Sequence, residues 1–293
     1  MRILLNTNIM SAQTLEDVFR LSHEAGYTQI ELHPRPDFLP PFVAPSLSAE
    51  QIGRVKGYLR RYEIAVDSLE LALRFASTDE TERCEQVAAV KRNFEVGIEL
   101  GCRRYTSEMN GMRRIADDKR QWRPDVDDDG CADAFRRSMD ELMPMLERED
   151  LLVSFECHPY DFLENSNETV DYLRRFGSRH VGYMFCTPHT FTMGGEVRPM
   201  VEYAGSLLTH VHIADTPRPE RIIVQPHVPG MMVHQHLPPG DGEVDWNAFF
   251  AGLQTIGYDG PLSCCVFSHR DRALEMARRT QEWLAKQISP RIA

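Results

Sequence analysis

Apolar residues along the chain recur in two periods that take turns. Short runs, apolar throughout or at alternate positions and closed by turn residues, read as strands; stretches with an apolar residue every third or fourth position read as helices. Arg2 to Asn6 is a first strand. Thr14, three residues before Asp17, opens a helix through His23 that Gly26 ends. Thr28 to Leu32 is a second strand, followed by the proline-rich His33-Pro34-Arg35-Pro36, which proline keeps out of helix. Ser48 caps a second helix with Ile52, Val55 and Leu59 on one face. The alternation continues with a strand at Ala65 to Leu71, a helix at Glu80 to Leu100 and a strand at Arg103 to Glu108. From 109 to 130 the pattern lapses into polar and charged residues. It resumes with a helix at Ala132 to Glu149, a strand from Leu152, a helix at Thr169 to Phe176, a strand at Val181 to Phe185 and a helix at Met200 to Leu208. Thr209 to Ala214 is the seventh strand. A second long loop, 216 to 242, holds six prolines, and Trp246 to Ile256, Leu262 to Phe267 and Arg270 to Gln287 complete eight strands and eight helices. Strict alternation of this kind predicts a parallel α/β sheet with helical crossovers, and eight units predict closure into a (β/α)8 TIM barrel.

Composition narrows the picture. At 293 residues with no Ser/Gly linker or charge block, the chain is expected to be one domain over 1–293, since such barrels run to about 250 residues as a single unit. The loops 109–130 and 216–242 come after strands and so belong over the C-terminal face, where a barrel carries its chemistry. A net charge of -11 lowers the expectation of a nucleic-acid partner, which needs a basic face. No apolar run is long enough to cross a membrane, and MRILLNTNIM lacks the form of a signal peptide, so a soluble, cytoplasmic protein is expected. Seven cysteines without a repeated CxxC are expected to be reduced thiols.

The chemistry gathers at strand ends. LLVSFECHPYDF carries Glu156 and His158, CTPHTF carries Cys186 and His189, HVHIAD carries His210, His212 and Asp215, and HQHLPPGDGEVDW carries His234 and His236. Strand side chains alternate faces, so Glu156 and His158 share a face, as do His210 and His212. A carboxylate inside a barrel is costly unless paired or bound to metal, whereas several imidazoles meeting one carboxylate suit a divalent ion. Glu156, His189, His212 and His236 form the expected ligand set, with Asp161 or Asp215 fixing ring tautomers. Zinc is the first expectation, with Mn, Fe, Co or Mg as alternatives, and Cys186 or Cys265 nearby favours zinc. A lone strand histidine is more often a hydrogen-bonded core residue, which is the expectation for His33, His180, His210 and His227.

GDGEVDWNAFFAGLQTIGYDGPLS and HVHIAD together resemble the xylose-isomerase-like TIM barrels, the superfamily that also holds endonuclease IV and the sugar epimerases. HPYDF, NETVDYLR, TPHTF, EYAGS, IADT and VHQHL further resemble the inositol-catabolism proteins of the IolH type, over most of the chain. In the epimerases a Glu, Asp, His and Glu hold one divalent ion and the glutamates move a proton. By resemblance the first Glu falls on Glu156 and the His on His212, while the Asp falls on Cys186 and the last Glu on Cys265. The family's additional histidine falls on His189, and the Asp-x-His of endonuclease IV on His234-x-His236. Its three-zinc cluster is not expected, because its early histidines fall near Glu70 and Glu108 and its last glutamate is missing. Arg218 resembles the arginine that epimerases place on substrate hydroxyls; Arg35, Glu70, Glu108 and His234 join it as candidate substrate-binding residues.

Site residues and resemblance together imply a metal-dependent isomerase, epimerase or related lyase acting on a small sugar, keto-sugar or inositol-derived polyol through an enediolate. Glu156 and then His158 are the candidates to move the proton. The alternative is a barrel that has lost its carboxylate pair and serves as a sugar-binding or partner subunit. A homo-oligomer is compatible with either reading.

Overall fold

The computed structural model describes residues 1–11, 13–33, 46–71, 74–109, 114–115, 118–122, 127–159, 161–192, 194–217 and 235–289. Eight parallel strands close into a barrel: β1 (Arg2–Asn6), β2 (Gln29–Leu32), β3 (Ala65–Leu71), β4 (Arg104–Glu108), β7 (Leu152–Glu156), β8 (Val181–Cys186), β9 (Leu208–Ile213) and β10 (Pro261–Cys264). They succeed one another around the ring in chain order, and β1 closes it by pairing with β10 from Arg2↔Pro261 to Leu5↔Cys264. The crossovers are the helices α1 (Leu15–Glu24), α2 (Ala49–Arg61), α3 (Glu80–Glu99), α4 (Asp128–Arg148), α5 (Ser166–Arg174), α7 (Val197–Ala204) and α8 (Trp246–Thr255), and α9 (Ala273–Ile288) ends the chain. The expected (β/α)8 barrel is thus the observed fold.

The caps arise from the residues at the helix starts. Thr14 accepts a hydrogen bond from the Asp17 amide, Ser48 and Gln51 form a reciprocal capping box, and Asp79 accepts from the amides of Thr81 and Glu82. Gly26 ends α1 with φ +89°, a conformation that costs any other residue more. Apolar strand residues such as Leu69, Tyr105, Val153, Phe155, Phe185, Val211 and Ile213 belong to the hydrophobic core beneath the helices. Phe155, for example, packs against Phe135 of α4 at a ring distance of 5.0 Å. The alternate positions are left to face the axis.

Several element bounds shift by a few residues from the expectation, and three differences have a clear local cause. Arg114–Ile115 (β5) and Asp118–Trp122 (β6) pair antiparallel inside the stretch expected to be loop, because a short polar hairpin has no apolar period to announce it. The helix after it starts at Asp128 rather than Ala132, since Asp127 accepts from the Gly130 amide and so caps it earlier. A six-residue helix, α6 (Thr187–Thr192), comes directly after β8 and is too short to show periodicity.

One register detail sets the inner face of β9. Tyr183 pairs with Leu208 but Met184 pairs with His210, so Thr209 is an extra residue. The Thr209 hydroxyl reaches inward to Ser154 at 2.8 Å. Its bulk lies where a side chain on Gly182 would project, so only glycine fits opposite it. Gly182→Ala is expected to destabilise the protein by about 1–3 kcal/mol, as overpacking does. Gly53, exposed on α2 with nothing near its Cβ position, makes the control. Gly53→Ala is expected to stabilise by about 0.5–1 kcal/mol. Urea unfolding of both variants checks the pair, and equal effects would contradict the packing described.

Candidate metal centre

The floor of the site is a carboxylate in the middle of the barrel. Glu31 on β2 is fully buried, and its two oxygens accept hydrogen bonds from Asn6 Nδ2 (3.0 Å), Ser263 Oγ (2.6 Å), His212 Nε2 (2.9 Å) and Thr106 Oγ1 (2.6 Å). These donors come from β1, β10, β9 and β4, so the contacts run across the interior. Burial would raise the Glu31 carboxyl, but His212 and then His210 outweigh it and hold it well below its ordinary value. Burial would likewise lower His212, yet Cys265 and Glu31 lift it well above. Both shifts run in the direction that favours a charged pair of carboxylate and ring. In the sequence Glu31 carries no signal beyond a charged residue in an apolar strand, and it is absent from the expected site.

Above this floor the strand ends bring the expected residues together. Glu156 ends β7, Cys186 ends β8, and Cys186 pairs in register with His212 of β9. Helix α6 turns back over the mouth and carries His189; its Thr187 hydroxyl donates to the carbonyl of Ala214 at 2.6 Å, tying the turn to β9. His236 stands outside the strands but is fixed on both sides. Its Nδ1 donates to the Cys265 carbonyl (2.8 Å), its own carbonyl accepts from the amides of Phe267 and Ser268, and its ring stacks on Phe267 at 3.9 Å.

The distances describe a chain of donors. Glu156 Oε2 lies 3.2 Å from His189 Nδ1 and 4.0 Å from His212 Nδ1, and His189 Nε2 lies 3.4 Å from His236 Nε2. All four expected ligands therefore stand in one run of neighbours, His212 beside Glu156, Glu156 beside His189 and His189 beside His236. Cys186 joins them: ligand atoms of Cys186, His189 and His236 lie within 4.8 Å of one another, as do those of Glu156, Cys186 and His212. A third such group, Glu31 with His210 and His212, is the hydrogen-bonded floor.

Burial shapes the protonation states. It pushes Glu156 up to about 7, with a smaller rise from the neighbouring Glu108 charge, and it holds His189 and His236 well below their ordinary range. Both rings are neutral, which is the ligating form. Cys186 is raised well above its ordinary value, and Cys265 to about 11, in both cases first by burial. The buried Oε2 of Glu156 has no aligned hydrogen-bond donor among the described residues, as expected of an atom waiting for a cation or a proton. The donor set fits a divalent ion on those grounds.

His158 lies at the open side. Its Nδ1 donates to the Pro159 carbonyl (2.7 Å), its ring meets His189 edge-on at 4.5 Å, and its Nε2 is 3.9 Å from Glu108 Oε1. His158 and Glu108 are each 15% exposed, so solvent reaches the pocket past them. Glu70 pairs with His33, and His180 Nδ1 donates to the Leu151 carbonyl (2.7 Å). Arg35, Arg218, His227 and His234 lie outside the described residues. Asp215 does not orient a ring as expected: it accepts from the amides of Thr216, Gly240 and Val244 and from Trp246 Nε1, and so ties the loop return to α8. Asp161 accepts from the adjacent Phe162 amide. All seven cysteines are free thiols, and no helix among the described residues is long and apolar enough to cross a membrane.

Residues 19–287 match the family described as xylose isomerase-like TIM barrel. The chain belongs to that family. Among solved members of this fold, the IOLI protein "with a binding zinc atom" superposes with a TM-score of 0.77 at 18% identity, covering 98% of this chain and 97% of that one. The 3-keto-D-glucoside 4-epimerase YcjR from E. coli superposes with a TM-score of 0.74 at 17% identity, covering 98% and 99%. A D-tagatose 3-epimerase-like protein gives 0.72 at 18%, covering 99% and 100%. In sequence, a 3-dehydroshikimate dehydratase of Pseudomonas aeruginosa is 28% identical over 138 residues, 46% of this chain. That match takes in only 21% of the dehydratase's length. These likenesses establish the barrel and its xylose isomerase-like family; they do not separate the IolH type from the rest.

The raised Glu156 carboxyl has a consequence for stability. A buried acid with a raised folded-state value contributes stability that is full below about 4.3, its unfolded value, and is lost as pH climbs through about 7. Glu156→Gln removes that dependence. In chelator-treated protein the variant is expected to gain on the wild type by about 3 kcal/mol between pH 4 and pH 8. Parallel unfolding curves for the two proteins across that range would show instead that Glu156 titrates normally.

Proposed function

We propose that this xylose isomerase-like barrel is a metal-dependent isomerase, epimerase or related lyase for a small sugar, keto-sugar or inositol-derived polyol. The observation that carries the reading is the meeting of Glu156, His189, His212 and His236 in one buried pocket at the strand ends. A divalent ion, zinc first, would polarise neighbouring hydroxyl and carbonyl oxygens of the substrate and make the intervening C–H acidic. The chain's own groups supply the rest. Glu156, held near 7 by burial, is suited both to take and to return a proton near neutral pH. His158 stands where the pocket opens and can pass that proton onward. Glu70 and Glu108, with Arg35, His234 and Arg218, are the proposed contacts to substrate hydroxyls. Names of similar proteins support the class: a 3-keto-D-glucoside 4-epimerase, a D-tagatose 3-epimerase-like protein and a 3-dehydroshikimate dehydratase. We further take the protein to be one cytoplasmic domain.

A second reading rests on Cys186 and Cys265, which stand where the resemblance puts an Asp and a Glu. Without that carboxylate pair the barrel would bind a sugar without turning it over. Proton NMR in D2O with a panel of ketoses and inosose-type ketones separates the two. The first reading expects solvent deuterium to enter the carbon beside the carbonyl, and Glu156→Gln to slow this about 10²–10⁴-fold. Metal content measured on the same preparation should be near one ion per chain. Sugar binding without exchange would favour the second reading.

A further inference from the structure

His189 and His236 face each other. His236 donates Nδ1 to the Cys265 carbonyl, His189 Nδ1 lies 3.2 Å from Glu156 Oε2 with no aligned hydrogen bond between the two, and the remaining nitrogens of the two rings are 3.4 Å apart. Two imidazole nitrogens bound to one tetrahedral zinc at about 2.0–2.1 Å stand about 3.3–3.4 Å apart, from the tetrahedral angle alone. The oxygen bonded behind His236 is the arrangement that fixes a ring's tautomer and strengthens it as a donor. Cys186 Sγ at the end of β8 lies within 4.8 Å of a ring nitrogen of each histidine. His212 gives its Nε2 to Glu31 and keeps Nδ1 4.0 Å from Glu156 Oε2, on the far side of Glu156 from the pair.

The geometry points to a thiolate-bearing zinc site in which Cys186 Sγ, His189 Nε2 and His236 Nε2 are the ligands and the fourth position is left for solvent or substrate. This rests on the metal-dependent reading above and deepens it. Three protein ligands and one open position are the composition of a catalytic rather than a structural zinc. The cysteine that replaces a carboxylate is then a working ligand: its proton goes to solvent as the metal binds, and the resulting thiolate favours zinc or cobalt over magnesium or manganese. Glu156 stays beside His189 at 3.2 Å and is not itself consumed as a ligand. That leaves it able to carry the proton.

Cobalt(II) makes the ligands visible, because a thiolate bound to it gives a charge-transfer band in the near ultraviolet that oxygen and nitrogen donors do not. The full chain loaded with one Co(II) is expected to show this band. Cys186→Ser should lose it, with affinity for Co(II) falling more than ~100-fold, beyond the ~10–100-fold typical of a partner outside the ligand set. Cys265→Ser should keep the band, and so should Glu156→Gln with affinity lowered by ~10–100-fold. Zinc X-ray absorption on the wild type needs no variant to fold and should find one sulfur at about 2.3 Å with nitrogen at about 2.0–2.1 Å. Co(II) bound without the band, a band that survives Cys186→Ser, or zinc surrounded by nitrogen and oxygen alone would overturn the thiolate site and leave the metal-dependent reading standing. Failure to bind either ion would overturn both.

Discussion

The interaction on which the rest depends is the buried Glu31 carboxylate. A charge in the middle of a barrel is tolerable only if its lone pairs are used, and here donors from four other strands use them. The network does two things at once. It locks β1, β2, β4, β9 and β10 around a common point, and it turns His212 so that Nε2 faces down and Nδ1 faces the pocket. The mouth of the barrel is therefore built on a floor that is already charged and already satisfied. Ligands above it can remain neutral.

That separation explains the electrostatics of the rim. His189 and His236 are buried, and burial is the largest cause of the shift that holds both well below the ordinary imidazole range. Glu156 feels the same burial from the other sign and is pushed toward the protonated form. The same physical cause thus prepares two imidazoles to bind a cation and one carboxyl to exchange a proton. His212 also reaches this rim, lowering Glu156, His189 and His236, but burial is the larger cause in each.

Much of this is legible in the sequence because it rests on periodicity and capping. Strand and helix order comes from apolar spacing, and Thr14 and Ser48 announce their helices through residues three positions on. The gathering of Glu156, His189, His212 and His236 is readable because each lies at or beyond the end of an apolar run, and strand ends of a barrel share one face. Other features depend on contacts distant in sequence. Glu31 is an ordinary acid until Asn6, Thr106, His212 and Ser263 are seen around it. Asp215 looks like a partner for a ring, but the nearest donors are amides of the loop return and the Trp246 indole, which no local pattern reveals. The β5–β6 hairpin and α6 are too short for any period to emerge.

His236 shows how a residue outside the regular elements can be as firmly placed as one within them. The segment after β10 grips it through its backbone and by stacking, and Asp215 pairs with the neighbouring Leu237 in a short bridge. The donor at the exit of the excursion is thus held from the far side of the barrel seam: a change in Cys265 to Ser268 would move the imidazole as directly as a change beside it in the chain.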